Sequence, residues 1–232
     1  MKFEPNNKSG FVNILGIPNS GKSSLINQLV GKKISIVSHK VQTTRFCIKG
    51  ICTYLLNNKT TSQIILIDTP GIFNAKRRFD KAMVSSAWSE LKYTDEIIFI
   101  HDVTKKIAKN SIDILDNIFK IKSKVILVLN KIDLLSKEKL LNKISDFNSL
   151  YDFSKVFLIS AKSGSGCDDL KLYLAKQMPL HPFMYDHNMV SDLPHSLLAS
   201  EITREKLFNN LNNELPYNLT VCTEKWDLNE NK

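Results

Sequence analysis

The sequence lacks any apolar run approaching the ~18 residues that a membrane-spanning helix requires. Its opening residues, MKFEPNNKSG, lack the apolar core of a secretory signal. Both absences lead us to expect a cytoplasmic protein. Only four cysteines occur, Cys47, Cys52, Cys167 and Cys222, with no C-x-x-C spacing and no histidine pattern beside them. That excludes a zinc framework and a disulfide scaffold and leaves packed, reduced thiols as the expectation. Internal repeats and low-complexity tracts are missing as well, which excludes a solenoid. After Pro194 there is no glycine at all.

What is present is a positive surplus, unevenly placed. The formal net charge is +9 over 232 residues, 43% of them hydrophobic, enough for a globular core. Residues 1–178 hold 28 Lys and Arg against 15 Asp and Glu, whereas residues 179–232 hold 4 against 8. The basic excess is lysine scattered among asparagine and isoleucine, which fits a basic binding face and a compositional bias equally.

Short apolar runs alternate with helical patterns. FVNIL (11–15), FCIKGICTYLL (46–56), QIILI (63–67), EIIFIH (96–101), KVILVLN (124–130) and KVFLIS (155–160) read as strands, with helices predicted near 22–30, 79–92, 108–121, 137–150 and 167–177. Near-continuous apolar strands separated by helices predict a mostly parallel, doubly wound α/β sheet covered on both faces. Residues 179–195 hold three prolines and little periodicity and read as a linker. Beyond them, 197–215 has helical spacing and 216–226 alternates like a strand.

The chemistry lies at the strand ends, where this fold places ligands. GIPNSGKSS (16–24) fits G-x-x-x-x-G-K-[ST] between a predicted strand and a predicted helix. Gly16 and Gly21 allow the backbone to turn amides around a phosphate, with Asn19, Ser20 and Ser24 in the same cradle; Lys22 adds charge, and Ser23 a hydroxyl for magnesium. After QIILI comes DTPG, in which Asp68 can reach the metal through water and Gly71 can approach a terminal phosphate. After KVILVLN come Lys131 and Asp133, with Asn130 ending the strand. A carboxylate at 133 accepts two parallel hydrogen bonds from guanine N1 and its 2-amino group, which adenine cannot offer. Asn130 can bond the base edge or brace the phosphate loop, and the Lys131 stem can cover the purine. Ser160, Ala161 and Lys162 follow the last strand, with the Ala161 amide able to approach the guanine oxygen. Three segments in order at strand ends indicate guanine nucleotides, GTP and GDP, far more specifically than any one of them.

These residues resemble the translation-factor-related GTPases. ISIVSHKVQTTRFCIKGI (34–51), DTPGIFNAKRRFDKAMVSSAWSELKYTDEIIFIHDV (68–103) and LLASEITREKLFNNLNNELPYNLTV (197–221) further resemble the Era GTPase family. The resemblance implies a GTP-hydrolysing switch that binds small-subunit ribosomal RNA through a C-terminal KH domain and assists assembly of that subunit. It implies a GTPase domain over 1–178, the linker at 179–195, and a partial KH-type α+β segment over 196–232 holding only the entry helix and first strand. A KH domain grips RNA with a G-x-x-G loop; the glycine-free tail lacks it, so that grip is not expected from these residues. Peripheral association with the inner membrane is a further expectation carried by the resemblance.

Ras-like GTPases place a glutamine after the D-x-x-G glycine to orient water. Ile72 stands there, so catalysis must draw on other groups. Lys22 and Thr44 are candidate catalytic residues, Thr44 also as the second magnesium hydroxyl beside Ser23 and Asp68, with Thr43 the alternative. Asn19 stands where potassium-activated relatives carry an asparagine, which makes K+ a further candidate cofactor, against a purely loop-shaping role. The competing readings are a GTP-binding scaffold without turnover, and an Era-like GTPase serving RNA modification or membrane-associated regulation.

Overall fold

The apolar runs become six strands: β1 (Lys8–Leu15), β2 (Ile48–Asn57), β3 (Thr60–Asp68), β4 (Glu96–Asp102), β5 (Ile126–Asn130) and β6 (Lys155–Ile159). The computed structural model, which describes residues 7–37, 48–57, 60–68, 91–211 and 219–227, pairs them in the order β2-β3-β1-β4-β5-β6. β2 runs antiparallel to β3, and every other neighbouring pair is parallel. This is the doubly wound, mostly parallel sheet expected from the pattern.

Alternation along the strands feeds two cores. Ile14, Ile98, Ile100, Ile126 and Val128 face one side, where α1 (Lys22–Val30) and α4 (Cys167–Gln177) bring Leu25, Ile26, Leu170 and Leu174. Leu15, Ile97, Phe99, Leu127 and Leu129 face the other, against Ile114, Leu115 and Ile118 of α2 (Lys109–Ile121) and Phe147 of α3 (Lys137–Asn148). Complete burial of an Ile, Leu or Phe contributes roughly 1.5–3 kcal/mol, so both faces anchor the central strands and with them the strand ends. Cys52 and Cys167 are packed in the first of these cores, and burial pushes both thiols up to about 11. Cys222 is exposed, and Cys47 lies outside the described residues. No helix among the described residues is long and apolar enough to cross a membrane.

Residues 179–193 form an ordered strap rather than a loose connection. Leu180 bridges Lys8 at the start of β1, and Ser191 bridges Gly50 on the outer edge of β2. The Ile51 amide donates to the Val190 carbonyl at 2.9 Å, and the Lys49 amide to the Asp192 carboxylate at 3.1 Å. Between these ends Gln63, fully buried, holds the strap's backbone: its Oε1 accepts the Met184 and Tyr185 amides at 2.9 and 3.1 Å, and its Nε2 donates to the Tyr185 carbonyl at 2.7 Å. The prolines suppress helical periodicity, and the backbone groups of Pro179, Met184, Tyr185, Val190 and Asp192 bond to the sheet or to Gln63.

The last helix, α5 (His195–Asn210), packs back against the segment that follows α1. Lys33 pairs with Glu205 at 2.5 Å, the Val37 amide reaches the same carboxylate at 3.4 Å, and the buried Arg204 guanidinium is held by Glu201 through Nε at 2.8 Å and Nη2 at 2.5 Å. The helix ends earlier than its apolar spacing suggests, Leu211 turning to extended backbone at φ −86°, ψ 148°. The strand expected over 216–226 is corrected where it is described: residues 219–227 carry no regular secondary structure. Alternation supplies two faces but no ladder partner, and this segment lies along α5 instead. Thr223 donates to the Ser196 carbonyl at 2.7 Å and shares a hydrogen bond with the Ser200 hydroxyl at 2.6 Å, while the Trp226 ring stacks over His195.

Gln63→Ala is expected to lower the unfolding free energy by roughly 2–3 kcal/mol, because it strands the backbone groups of Met184 and Tyr185, and to speed protease cleavage within 179–193. An unchanged denaturation midpoint and cleavage pattern would show that the strap is held by its other contacts.

Candidate functional site

Register brings the candidate residues to one edge of the sheet. Ile14 of β1 lies opposite Asp68 at the end of β3, Asp102 of β4 opposite Asn130 of β5, and Asn130 opposite Ile159 of β6. The phosphate loop, Asp68, Asp102, Asn130 and the Ser160 turn therefore share the C-terminal edge of the parallel strands.

The loop from Gly16 to Gly21 is built for close approach. A Cβ on Gly16 would lie 2.4 Å from the Ile100 carbonyl oxygen, and one on Gly21, at φ 101°, would lie 2.1 Å from Asn130 Nδ2. Asn19 is exposed and takes a left-handed conformation at φ 63°, one that asparagine tolerates better than most residues. Ser20 is buried, and Ser24 lies in the first turn of α1. The Lys22 ammonium donates to the Gly16 and Ile17 carbonyls, each at 3.0 Å. Burial pushes its pKa down to about 8, with the Asp68 carboxylate pulling in the opposite direction.

Asp68 is fully buried behind the loop. Its Oδ2 accepts the Ser23 hydroxyl at 2.9 Å and also the Ser35 hydroxyl. A carboxylate and a hydroxyl in contact are hard oxygen donors of the kind magnesium takes beside phosphate oxygens, so the expected pair fits the metal. Thr44 and Gly71, with Thr43 and Ile72, lie outside the described residues.

Asn130 organises the base side, and of the two roles open to it from the sequence the structure shows the brace. Its Nδ2 donates to the Ser20 carbonyl at 2.9 Å, while its Oδ1 accepts the Lys131 amide at 2.8 Å and the Ala161 amide at 3.0 Å. The Ala161 amide, expected to face a guanine oxygen, thus has Asn130 as its acceptor here. Lys131, at φ 68°, sends its ammonium to the Asn19 carbonyl at 3.1 Å and to Asp102 Oδ2 at 2.6 Å. Asp133 sits in a single helical turn, Ile132–Leu134, exposed at the edge, and Lys162 is exposed on the neighbouring turn. Ser160 closes that turn, its carbonyl accepting the Gly164 amide at 2.8 Å.

Several residues of this edge carry no motif. Burial raises the Asp102 carboxyl, but hydrogen bonds from Lys131 and Thr104 outweigh that and hold it below its usual range. Asp102, at the end of β4, positions Lys131. Its place at the end of β4, level with Asn130, was the available signal. His101 beside it is structural: burial holds its pKa down, its Nε2 meets the Lys105 carbonyl at 3.2 Å, and its ring packs edge-on against Phe147 at 4.9 Å. Ser35 and its support Asn27 had no sequence signal.

Known proteins resemble this chain in sequence and in fold. Residues 11–131 match the family described as 50S ribosome-binding GTPase. The chain is 45% identical over 223 residues to GTPase Era of Mesorhizobium japonicum, covering 96% of this chain and 70% of that protein. It is 47% identical over 220 residues to GTPase Era of Brucella suis, covering 95% and 69%. Among solved structures, Era in complex with MgGDPNP and nucleotides 1506–1542 of 16S ribosomal RNA superposes with a TM-score of 0.85 at 34% identity, covering 91% of this chain and 70% of that one. A variant of Aquifex aeolicus Era bound to GDP and AlF4− superposes with a TM-score of 0.83 at 36% identity, covering 90% and 70%. With the guanine-nucleotide segments at the strand ends and relatives matching nearly its whole length, the chain belongs to the Era family of GTPases.

Proposed function

We propose that this edge holds GTP with a magnesium ion and that hydrolysis there switches a contact with small-subunit ribosomal RNA. The Asn130 amide carries the reading: it joins, in one hydrogen-bonded unit, the phosphate loop, the Lys131–Asp133 turn and the Ser160–Lys162 turn. A nucleotide spanning phosphate and base sites needs those segments at fixed separation. In this reading Gly16, Ser20, Gly21, Ser24 and Gly71 approach the phosphates, Asp133 takes the guanine edge, and Lys131 and Ser160 to Lys162 border the base.

Magnesium, held by Ser23, Asp68 and Thr44, would neutralise charge on the β- and γ-phosphate oxygens. Lys22 is the protein's own cation for the phosphates. Asn19, exposed and in its left-handed conformation, supports a role beside a potassium ion that compensates charge between the phosphates. The RNA partner is proposed from likeness to the Era protein solved with a 16S fragment. The division into a GTPase domain (1–178) and a KH-type portion (196–232) is part of the same proposal. The acidic balance of residues 179–232, with 8 Asp and Glu against 4 Lys and Arg, opposes phosphate attraction there, so the basic first domain is the side expected to meet RNA.

Lys22 supplies a pH signature. With a pKa of about 8 in the free protein it is mostly neutral at pH 8.5, whereas phosphates beside it return it to the ordinary lysine range. GDP binding followed by calorimetry in buffers of different ionisation enthalpy is expected to show proton uptake at pH 8.5 that nearly vanishes at pH 7. No difference between the two would remove the depressed lysine.

Turnover of GTP is expected to be faster in potassium chloride than in sodium chloride at equal ionic strength, and identical rates would take Asn19 out of the chemistry. Purified small ribosomal subunits are expected to accelerate turnover by the full chain, while Lys22→Ala loses roughly 10²-fold or more with or without them. Turnover that ignores the subunits would sever the GTPase from the RNA reading.

A further inference from the structure

Asp68 is gripped by a second hydroxyl that belongs to no nucleotide-binding motif. Ser35 is 1% exposed, and its Oγ donates to Asp68 Oδ2, the oxygen that also takes Ser23 Oγ at 2.9 Å. Ser35 is itself tightly placed. The Asn27 side chain on α1 accepts the Ile34 amide at 2.9 Å and the Ser35 amide at 3.0 Å through Oδ1, and donates through Nδ2 to the Ser35 carbonyl at 2.8 Å. The backbone at 34–35 is therefore locked to the same helix whose first turn carries Lys22 and Ser23.

We infer that Ser35 is a positioning residue for the magnesium site, aiming the Asp68 carboxylate from a support independent of the phosphate loop. The inference rests on the reading of Ser23 and Asp68 as the magnesium pair. Two rotatable bonds separate a carboxylate from its backbone, and one donor fixes only one direction. The Ser23 oxygen is also the one that must turn its lone pair to the metal. A second donor, anchored by Asn27 rather than by the loop, keeps Asp68 oriented whatever the loop does. Hydrogen-bonding partners of metal-holding carboxylates commonly govern affinity by 10–100-fold, and Ser35 occupies that position here.

The test is the release of a fluorescent GDP analogue from the full chain, followed as free magnesium is varied with EDTA. Ser35→Ala is expected to move the magnesium concentration that half-maximally slows release upward by about 10-fold or more, leaving release in excess EDTA at the wild-type rate. Ser35→Cys fills the same space with a much weaker donor and is expected to shift in the same direction, which guards against a packing effect of Ala. Magnesium curves that superpose on wild type in both variants overturn the inference, as does a release rate raised equally with and without magnesium. Asp68→Asn separates the two levels. If it abolishes the magnesium dependence while neither Ser35 variant shifts it, the role of Ser35 fails alone; if it keeps the wild-type dependence, the magnesium reading fails and takes Ser35 with it.

Discussion

One planar amide holds the working edge together. The Asn130 side chain spans to Ser20, 110 residues away in sequence, and to Ala161, 31 residues away, using its donor in one direction and its acceptor in the other. Loops at strand ends make few apolar contacts of their own, so their relative placement must come from directed bonds. A residue lacking either the donor or the acceptor would leave a buried backbone group unpaired on one side. Gly21 has to be glycine for the same reason, since a side chain there would occupy the space of the Asn130 amide.

The charges of the site are arranged in counterpoised pairs. Lys22 faces Asp68 and leans on two carbonyls of the phosphate loop, while Lys131 pairs with Asp102 and leans on a third. Backbone carbonyls are weaker partners for an ammonium than an anionic phosphate is. The Lys22 ammonium is thus held in place by carbonyl contacts that an anionic phosphate can outcompete, whereas Lys131 is held by the Asp102 carboxylate as well. Asp102, its carboxyl held below the usual range by hydrogen bonds from Lys131 and Thr104, gives the Lys131 ammonium an anionic partner at this end of the arrangement.

Much of this was legible in the sequence because the parallel strands are apolar on both faces, which makes runs such as VILVLN stand out, and because phosphate and guanine recognition use fixed residue types at strand ends. All six strands and the cradle from Gly16 to Ser24 follow from that. What sequence reasoning missed are single polar side chains whose role depends on a distant partner. Gln63 opens the otherwise apolar run QIILI, and its role appears only with the strap backbone that it bonds. Ser35 follows a helix end and gains meaning only from Asp68, 33 residues on. Prolines and missing periodicity made 179–195 read as a linker, and proline removes helical periodicity without removing the remaining backbone donors and acceptors. The alternation of 216–226 pointed to a strand, and for its described part the missing ingredient was a neighbouring edge.

The strap changes what kind of connection joins the sheet to α5. A flexible tether of its length would let the helix explore a volume, and its meeting with Lys33 would be governed by an effective concentration that falls as the linker lengthens. Here the chain is pinned at Leu180, Tyr185, Val190 and Asp192 before the helix begins, leaving only a step from the edge of β2 to His195. Glu205 therefore reaches Lys33 and Val37 as part of one preassembled body, and an insertion anywhere in 179–193 would act as a change of geometry rather than of tether length.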